Sequence, residues 1–205
     1  ETARQVAEAT RKAEALEAAR NDTTALFYQA LNGSSQQVVL QNEKVALTID
    51  TKGGVVKKAV IKHFTDRKGN QDVTLFDKSE QELNFMLAGK TTNILTADLY
   101  FTPTNVSDST VTLTAPASNG GALVLNYSLG KDYMLHFSLQ AQGLSGIFAP
   151  NYQAMDIEWS EKCRQQEKGF LFENRYATLT YKEKDGSTDY LNETSEKIDE
   201  NIEEP

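Results

Sequence analysis

Few side chains in this sequence have the chemistry to act in a reaction: two histidines, His63 and His136, one cysteine, Cys163, and closely spaced carboxylates such as Asp156 and Glu158. A metal held by two histidines needs a carboxylate or two further ligands converging on it, and the spacing of His63 and His136 supplies neither. His136 falls on the polar face of its predicted strand beside Ser138 and Gln140, and His63 lies beside Phe64 at a strand end. A lone cysteine forms no intramolecular disulfide and no thiolate metal site, and its ordinary reading is a small, partly buried side chain. Asp156 and Glu158, two apart on a predicted strand, face the same side and have the types of an acid and base pair, but carboxylates so placed are ordinarily solvated. The sequence contains no nucleophile elbow, phosphate-binding glycine loop or H-E-x-x-H. The residues therefore predict no catalytic side chain, no cofactor and no metal.

Composition narrows the classes further. The 205 residues carry 29 acids against 21 bases, a net charge of −8, which argues against nucleic acid and against a polybasic contact with anionic lipid. Much of that charge is local, because Glu193, Glu196, Asp199, Glu200, Glu203 and Glu204 are balanced only by Lys197. No apolar run approaches the roughly 18 residues that cross a bilayer, and no signal peptide is visible. The absence of an initiator methionine suggests a soluble piece of something larger.

The elements that would position any site are mostly strands. Residues 1–31 are rich in Ala, Glu, Arg and Lys without Gly or Pro and predict one helix of about 45 Å. Its narrow stripe of Val6, Ala9, Ala13, Leu16, Thr23, Phe27 and Ala30, broken at Arg20, reads as a solvated helix with pairs such as Glu8 and Lys12, or alternatively as a coiled-coil or docking helix. Asn32, Gly33, Ser34 and Ser35 end it. Val45, Leu47 and Ile49 share a face, Gly53 and Gly54 make a turn, and Val55 begins a return arm with apolar residues on both faces, as in a sheet covered by another sheet. Short strands follow at regular intervals: 83–87, 95–101 with Leu95, Ala97, Leu99 and Phe101 on one face, 111–113, and 123–129. Tyr133, Leu135, Phe137 and Leu139 form the cleanest amphipathic strand, which predicts that it and its partner are central. Asn119–Gly121 and Gly130–Asp132 are turns. Residues 144–152 lapse into a loop, Ile157 and Trp159 resume a strand, 161–175 mix helix formers with one glycine, and a threonine-rich strand at 176–181 turns at Asp185 and Gly186 to pair with 188–191. This rhythm is that of an all-β sandwich or barrel.

The run from Asn42 to Phe64, N-E-x-V-x-L-T-I-x-T-K-G-G-x-V-K-x-A-V-I-K-x-F, resembles the opening of the periplasmic domain of YidC-type membrane protein insertases. Further blocks recur in order: Asp132, Tyr133 and Met134; Gly143 to Gly146 with Ala149, Pro150 and Asn151; Trp159 with Arg164 to Gly169 and Phe172 to Tyr176. They are most similar to the Bacteroidetes branch of that family. The resemblance implies an antiparallel β-supersandwich of the galactose-mutarotase kind, with an N-terminal helix and a short helical segment near the C-terminus. It implies three parts: a stalk at 1–35 following a first transmembrane helix, a β domain at 36–192, and an acidic linker at 193–205 leading toward a membrane core. It further implies a location on the periplasmic side of the bacterial inner membrane and a non-enzymatic interaction and scaffolding role. Its partners would be nascent membrane proteins and accessory subunits of the Sec translocon. The segment around Trp159, Arg164, Glu167, Lys168, Glu173 and Arg175, which breaks the strand rhythm, is the candidate interaction site, with a surface network of its charges expected. The fold also keeps a carbohydrate-binding or carbohydrate-epimerising alternative open, with Tyr100, Tyr127, Tyr133, Tyr152 and Trp159 lining a cleft and a glycan or peptide as its ligand.

Overall fold

The computed structural model describes residues 2–150, 155–182 and 186–192. In chain order the elements are α1 (Thr2–Asn21), α2 (Tyr28–Leu31), β1 (Gln37–Gln41), β2 (Val45–Asp50), β3 (Val55–Thr65), β4 (Gln71–Asp77), β5 (Gln81–Leu87), β6 (Ile94–Leu95), β7 (Thr102–Thr104), β8 (Thr110–Pro116), β9 (Ala122–Leu129), β10 (Leu135–Gln142), β11 (Asp156–Glu161), α3 (Phe170–Arg175), β12 (Thr178–Lys182) and β13 (Thr188–Asn192). The strands form sheets ordered β1-β2-β3-β4, β10-β9-β8-β7 and β11-β5-β6, with β12-β13 as a separate pair. Every pairing is antiparallel. The class is the all-β antiparallel sandwich that the sequence predicts, with helices at the expected ends.

Alternation fixes which face is inside. Val45, Leu47 and Ile49 of β2 are buried, as are Val111, Leu113 and Ala115 of β8 and Leu123, Leu125, Tyr127 and Leu129 of β9. These join one connected core with Val38 and Leu40 of β1 and with Leu99, Phe101 and Leu144 from connections. Two contacts pin the sheets together. At one end the Asn42 side chain accepts from the Lys44 and Val45 amides and donates to the carbonyls of Gly130 and Asp132, 2.8 and 2.7 Å away. At the other, the Tyr127 hydroxyl donates to the Gly54 carbonyl at 2.6 Å.

Burial pushes the Tyr127 phenol well above the ordinary range. Tyr127→Phe deprives a buried carbonyl of its donor and is expected to lower stability by about 1–3 kcal/mol in urea unfolding at neutral pH. Because the folded pKa lies above the unfolded value of about 10, this group's contribution is full below about pH 10 and is lost as pH rises through the folded value. The phenylalanine variant should therefore lack that component of alkaline unfolding.

Several local expectations are corrected. The predicted single helix over 1–31 stops at Asn21, because the Asp22 carboxylate accepts from the Thr24 amide and hydroxyl at 2.8 and 2.6 Å and turns the chain. Asn32 closes the break by donating to the Arg20 and Tyr28 carbonyls, while Phe27, Ala30 and Leu31 enter the core. The Glu8–Lys12 pair forms on the exposed face of α1 at 3.4 Å. The predicted strand at 95–101 is interrupted by a 3₁₀ turn, Thr96–Asp98, in which Thr96 is buried and Ala97 exposed. There Thr96 Oγ1 accepts the Phe85 amide at 3.0 Å, so a side-chain bond replaces strand pairing. Tyr133 lies outside β10, and β10 is the edge of its sheet, so that strand is not central. Phe137 is 38% exposed, stacked on Phe85 with ring centroids 5.3 Å apart. The Asn119–Gly121 turn is present and tight, since a Cβ on Gly121 would stand 2.6 Å from Leu144 Cδ2.

Candidate functional site

β11 exists because Asp156 to Glu161 pair in register with Met86 to Gln81 of β5, which leaves β11 at the sheet edge. Every residue of β11 is exposed, Trp159 at 67%. Trp159 lines a cleft of about 880 Å³ with Lys52, Lys57, Glu82, Asn84 and Glu158. Glu158 accepts from Asn84 Nδ2 at 3.3 Å, and Asp156 is not among the lining residues, so the two carboxylates do not converge on one site.

Past β11 the chain is tied down by specific contacts. The Lys162 amide donates to the Glu80 carbonyl at 2.6 Å, and Arg164 Nε donates to Glu80 Oε2 at 2.7 Å. The guanidinium, with the Asp77 amide, holds the Glu80 carboxyl below the usual carboxylate range. Gln165 accepts from Arg67, and Gln166 Nε2 donates to the Thr74 carbonyl of β4 at 3.0 Å. From α3 the Glu173 carboxylate reaches back to accept the Gln166 and Glu167 amides at 2.7 and 3.2 Å. The loop before α3 is thus fixed to β4 and to the 3₁₀ turn Lys78–Glu80.

The six expected interaction residues take different places in this arrangement. Arg164 and Glu173 are anchors, Glu167 is held through its main chain, and Trp159 faces the cleft. Lys168 lines a second cleft of about 730 Å³ with Thr65, Arg67, Gln166 and Phe172. Arg175 is exposed in the last turn of α3. The charges do not pair with one another: among the described residues Arg164 alone of the six makes an ion pair, with Glu80. Glu80, Gln165 and Gln166 complete the set. The two glutamines fall inside the block of family resemblance, whereas nothing in the sequence singles out Glu80, which is brought in by tertiary contact.

The remaining candidates are scattered. His63 is exposed in a bulge of β3 with φ of 65°, its amide donating to Asp72 Oδ1 at 2.9 Å. His136 is exposed on β10, in the other sheet, and neither histidine lines either cleft. Among the described residues no three His, Cys, Asp or Glu are grouped to hold a metal. Cys163, expected to be partly buried, is exposed, two residues past the end of β11, an edge strand whose own residues are all exposed. Of the aromatic residues expected to line a cleft besides Trp159, Tyr127 is core, Tyr100 sits under Lys52 Nζ at 4.8 Å, Tyr133 is exposed, and Tyr152 lies outside the described residues.

Fold and surface together define an antiparallel β-sandwich domain with an anchored, exposed segment along one edge. The chain belongs to the family described as the YidC periplasmic domain, whose model matches residues 37–204. Among similar proteins, the membrane protein insertase YidC of Phocaeicola vulgatus is 45% identical over 176 residues, covering 85% of this chain and 28% of the relative. That of Bacteroides fragilis is 36% identical, covering 78% and 26%. That of Porphyromonas gingivalis is 32% identical, covering 88% and 29%. The chain thus spans under a third of the length of these relatives, and no solved structure matches it. As a member of this family it is the periplasmic portion of an inner-membrane protein, and no described helix is long and apolar enough to cross a membrane.

Proposed function

We propose that the chain is a non-enzymatic interaction and scaffolding domain of a membrane protein insertase, assisting the entry of integral proteins alone or with accessory subunits of the Sec translocon. The observation that carries this reading is the anchored segment from Trp159 to Arg175: its backbone is fixed to β4 and to Glu80, while its large apolar side chains face outward. A segment held rigidly with an apolar outer face suits docking, since little ordering entropy remains to be lost on contact. Trp159, Lys168 and Arg175 are its outward-facing members, and Arg164, Glu167 and Glu173 hold its shape.

In the full-length protein, Arg164→Ala combined with Glu173→Ala releases the loop and should reduce client insertion severalfold at matched expression. Lys131→Ala, in the turn between β9 and β10, should leave insertion unchanged. Normal insertion by the double variant would reduce the segment to a structural role. A second reading, carbohydrate binding, draws on the cleft in which Trp159 stands beside Asn84, Glu82 and Glu158. Calorimetric titration decides between them, because saturable binding of a defined sugar that Trp159→Ala abolishes would replace the scaffold reading.

A further inference from the structure

β11 pairs with β5 on one side only, and the alternation of an antiparallel ladder tells which of its main-chain groups that pairing uses. The Lys162 amide donates to the Glu80 carbonyl at 2.6 Å, which continues the same register and makes positions 156, 158 and 160 the ones that exchange bonds with β5. The Phe85 amide, opposite Ile157, accordingly turns away from β11 to Thr96 Oγ1. The N–H and C=O groups of Ile157, Trp159 and Glu161 therefore point out of the sheet, and among the described residues nothing pairs with that edge. An open edge of this kind receives an added strand. Charge selects the strand. Asp156, Glu158 and Glu161 of β11 and Glu82 of β5 lie on strands that carry no base, and among the described residues none of the four makes an ion pair. The bases across the adjoining cleft are engaged elsewhere: Lys57 Nζ donates to the Gln81 carbonyl at 2.9 Å, and Lys52 Nζ stands 4.8 Å over the Tyr100 ring. A second copy of the chain would bring two such acidic strands together, and anionic lipid is repelled for the same reason. On an added strand the residues opposite Asp156 and Glu158 share one face and those opposite Ile157 and Trp159 share the other, so the complement alternates bases with apolar residues.

We propose that the outer edge of β11 binds an extended segment of a partner protein in which basic and apolar residues alternate. This gives the scaffold reading a partner chemistry and rests on that reading. In fluorescence anisotropy with purified full-length protein, a labelled, capped peptide of alternating lysine and valine should bind saturably, and its counterpart of alternating glutamate and valine should not. The valines oppose Ile157 and Trp159, so their amides face β11 while the lysine amides face away from it. N-methylation of the valine amides should weaken binding at least about tenfold, whereas N-methylation of the lysine amides should leave it nearly unchanged. Ile157→Pro removes an outward N–H and no bond to β5, and it should weaken binding of the unmodified peptide at least about tenfold. The peptide arm leaves the protein untouched, so it decides the matter even where the proline variant fails to fold. No saturable binding, equal binding of the glutamate peptide, equal effects of the two N-methylations, or full affinity in a folded Ile157→Pro variant overturns the proposal. None of these measurements reads client insertion, so a failure here is distinguishable from a failure of the scaffold reading.

Discussion

Gly54→Ala is expected to destabilise the chain by about 2–5 kcal/mol, read from chemical denaturation. Two costs add. Gly54 has φ of +66°, where a residue with a Cβ loses about 1–2 kcal/mol. The added methyl would also stand 2.2 Å from Leu125 Cδ1, and Leu125 is fully buried, so it cannot swing away into solvent. Overpacking of this kind costs about 1–3 kcal/mol. Gly120→Ala separates the two, because Gly120 has φ of +84° but a methyl added there would meet nothing within 4 Å. It should lose only the backbone part, about 1–2 kcal/mol. Equal losses at the two sites would mean that the turn between β2 and β3 does not press on β9.

That turn shows how far a sequence reading reaches. Two glycines between β-branched runs announce a hairpin, and β2 and β3 form one in the expected place. Nothing in the run says that Gly54 must also admit Leu125 from a strand far along the chain, because steric fit between sheets is a property of the assembled core. The same limit explains β10. Alternation reports that one face of a strand is apolar, not how many strands lie beyond it, so Leu135, Phe137 and Leu139 read as central when the sheet in fact ends there. The interruption at Thr96–Asp98 is hidden for a related reason. Leu95 before the short helical turn and Leu99 and Phe101 after it keep the period of two, so the sequence pattern continues through it unchanged.

The candidate segment is legible as a departure from rhythm and as a block of family resemblance, and its charges are legible as exposed. Their partners are not. Arg164 finds Glu80 and Gln166 finds the Thr74 carbonyl across the gap between β4 and the loop before α3, contacts that depend on how the chain folds back. The function of Glu173 as an acceptor for two main-chain amides is likewise a matter of local geometry, since a glutamate on a short helix reads as solvated until the preceding loop is seen to curl over it. Exposure of Ile157, Leu171, Leu179 and Tyr190 runs against expectation most clearly, because apolar residues on predicted strands and helices ordinarily face a core.

Leu125→Ala should cost about 2–5 kcal/mol, the range for emptying a buried leucine site that cannot fully collapse. Collapse is restricted here because β9 is held on both sides: Leu125 pairs with Leu113 of β8 and with Leu139 of β10, and Leu113 is itself fully buried. Phe137→Ala, on the edge strand and partly exposed, should cost less. The informative measurement is the double variant with Gly54→Ala. Truncating Leu125 removes the methyl that the new Cβ at position 54 would strike, so the steric cost of Gly54→Ala disappears while its backbone cost stays. The combined loss should therefore fall short of the sum of the single losses by about 1–3 kcal/mol. Strict additivity would mean that in the Gly54 variant the turn already moves off β9, and with it the Tyr127 hydroxyl bond that pins the two sheets.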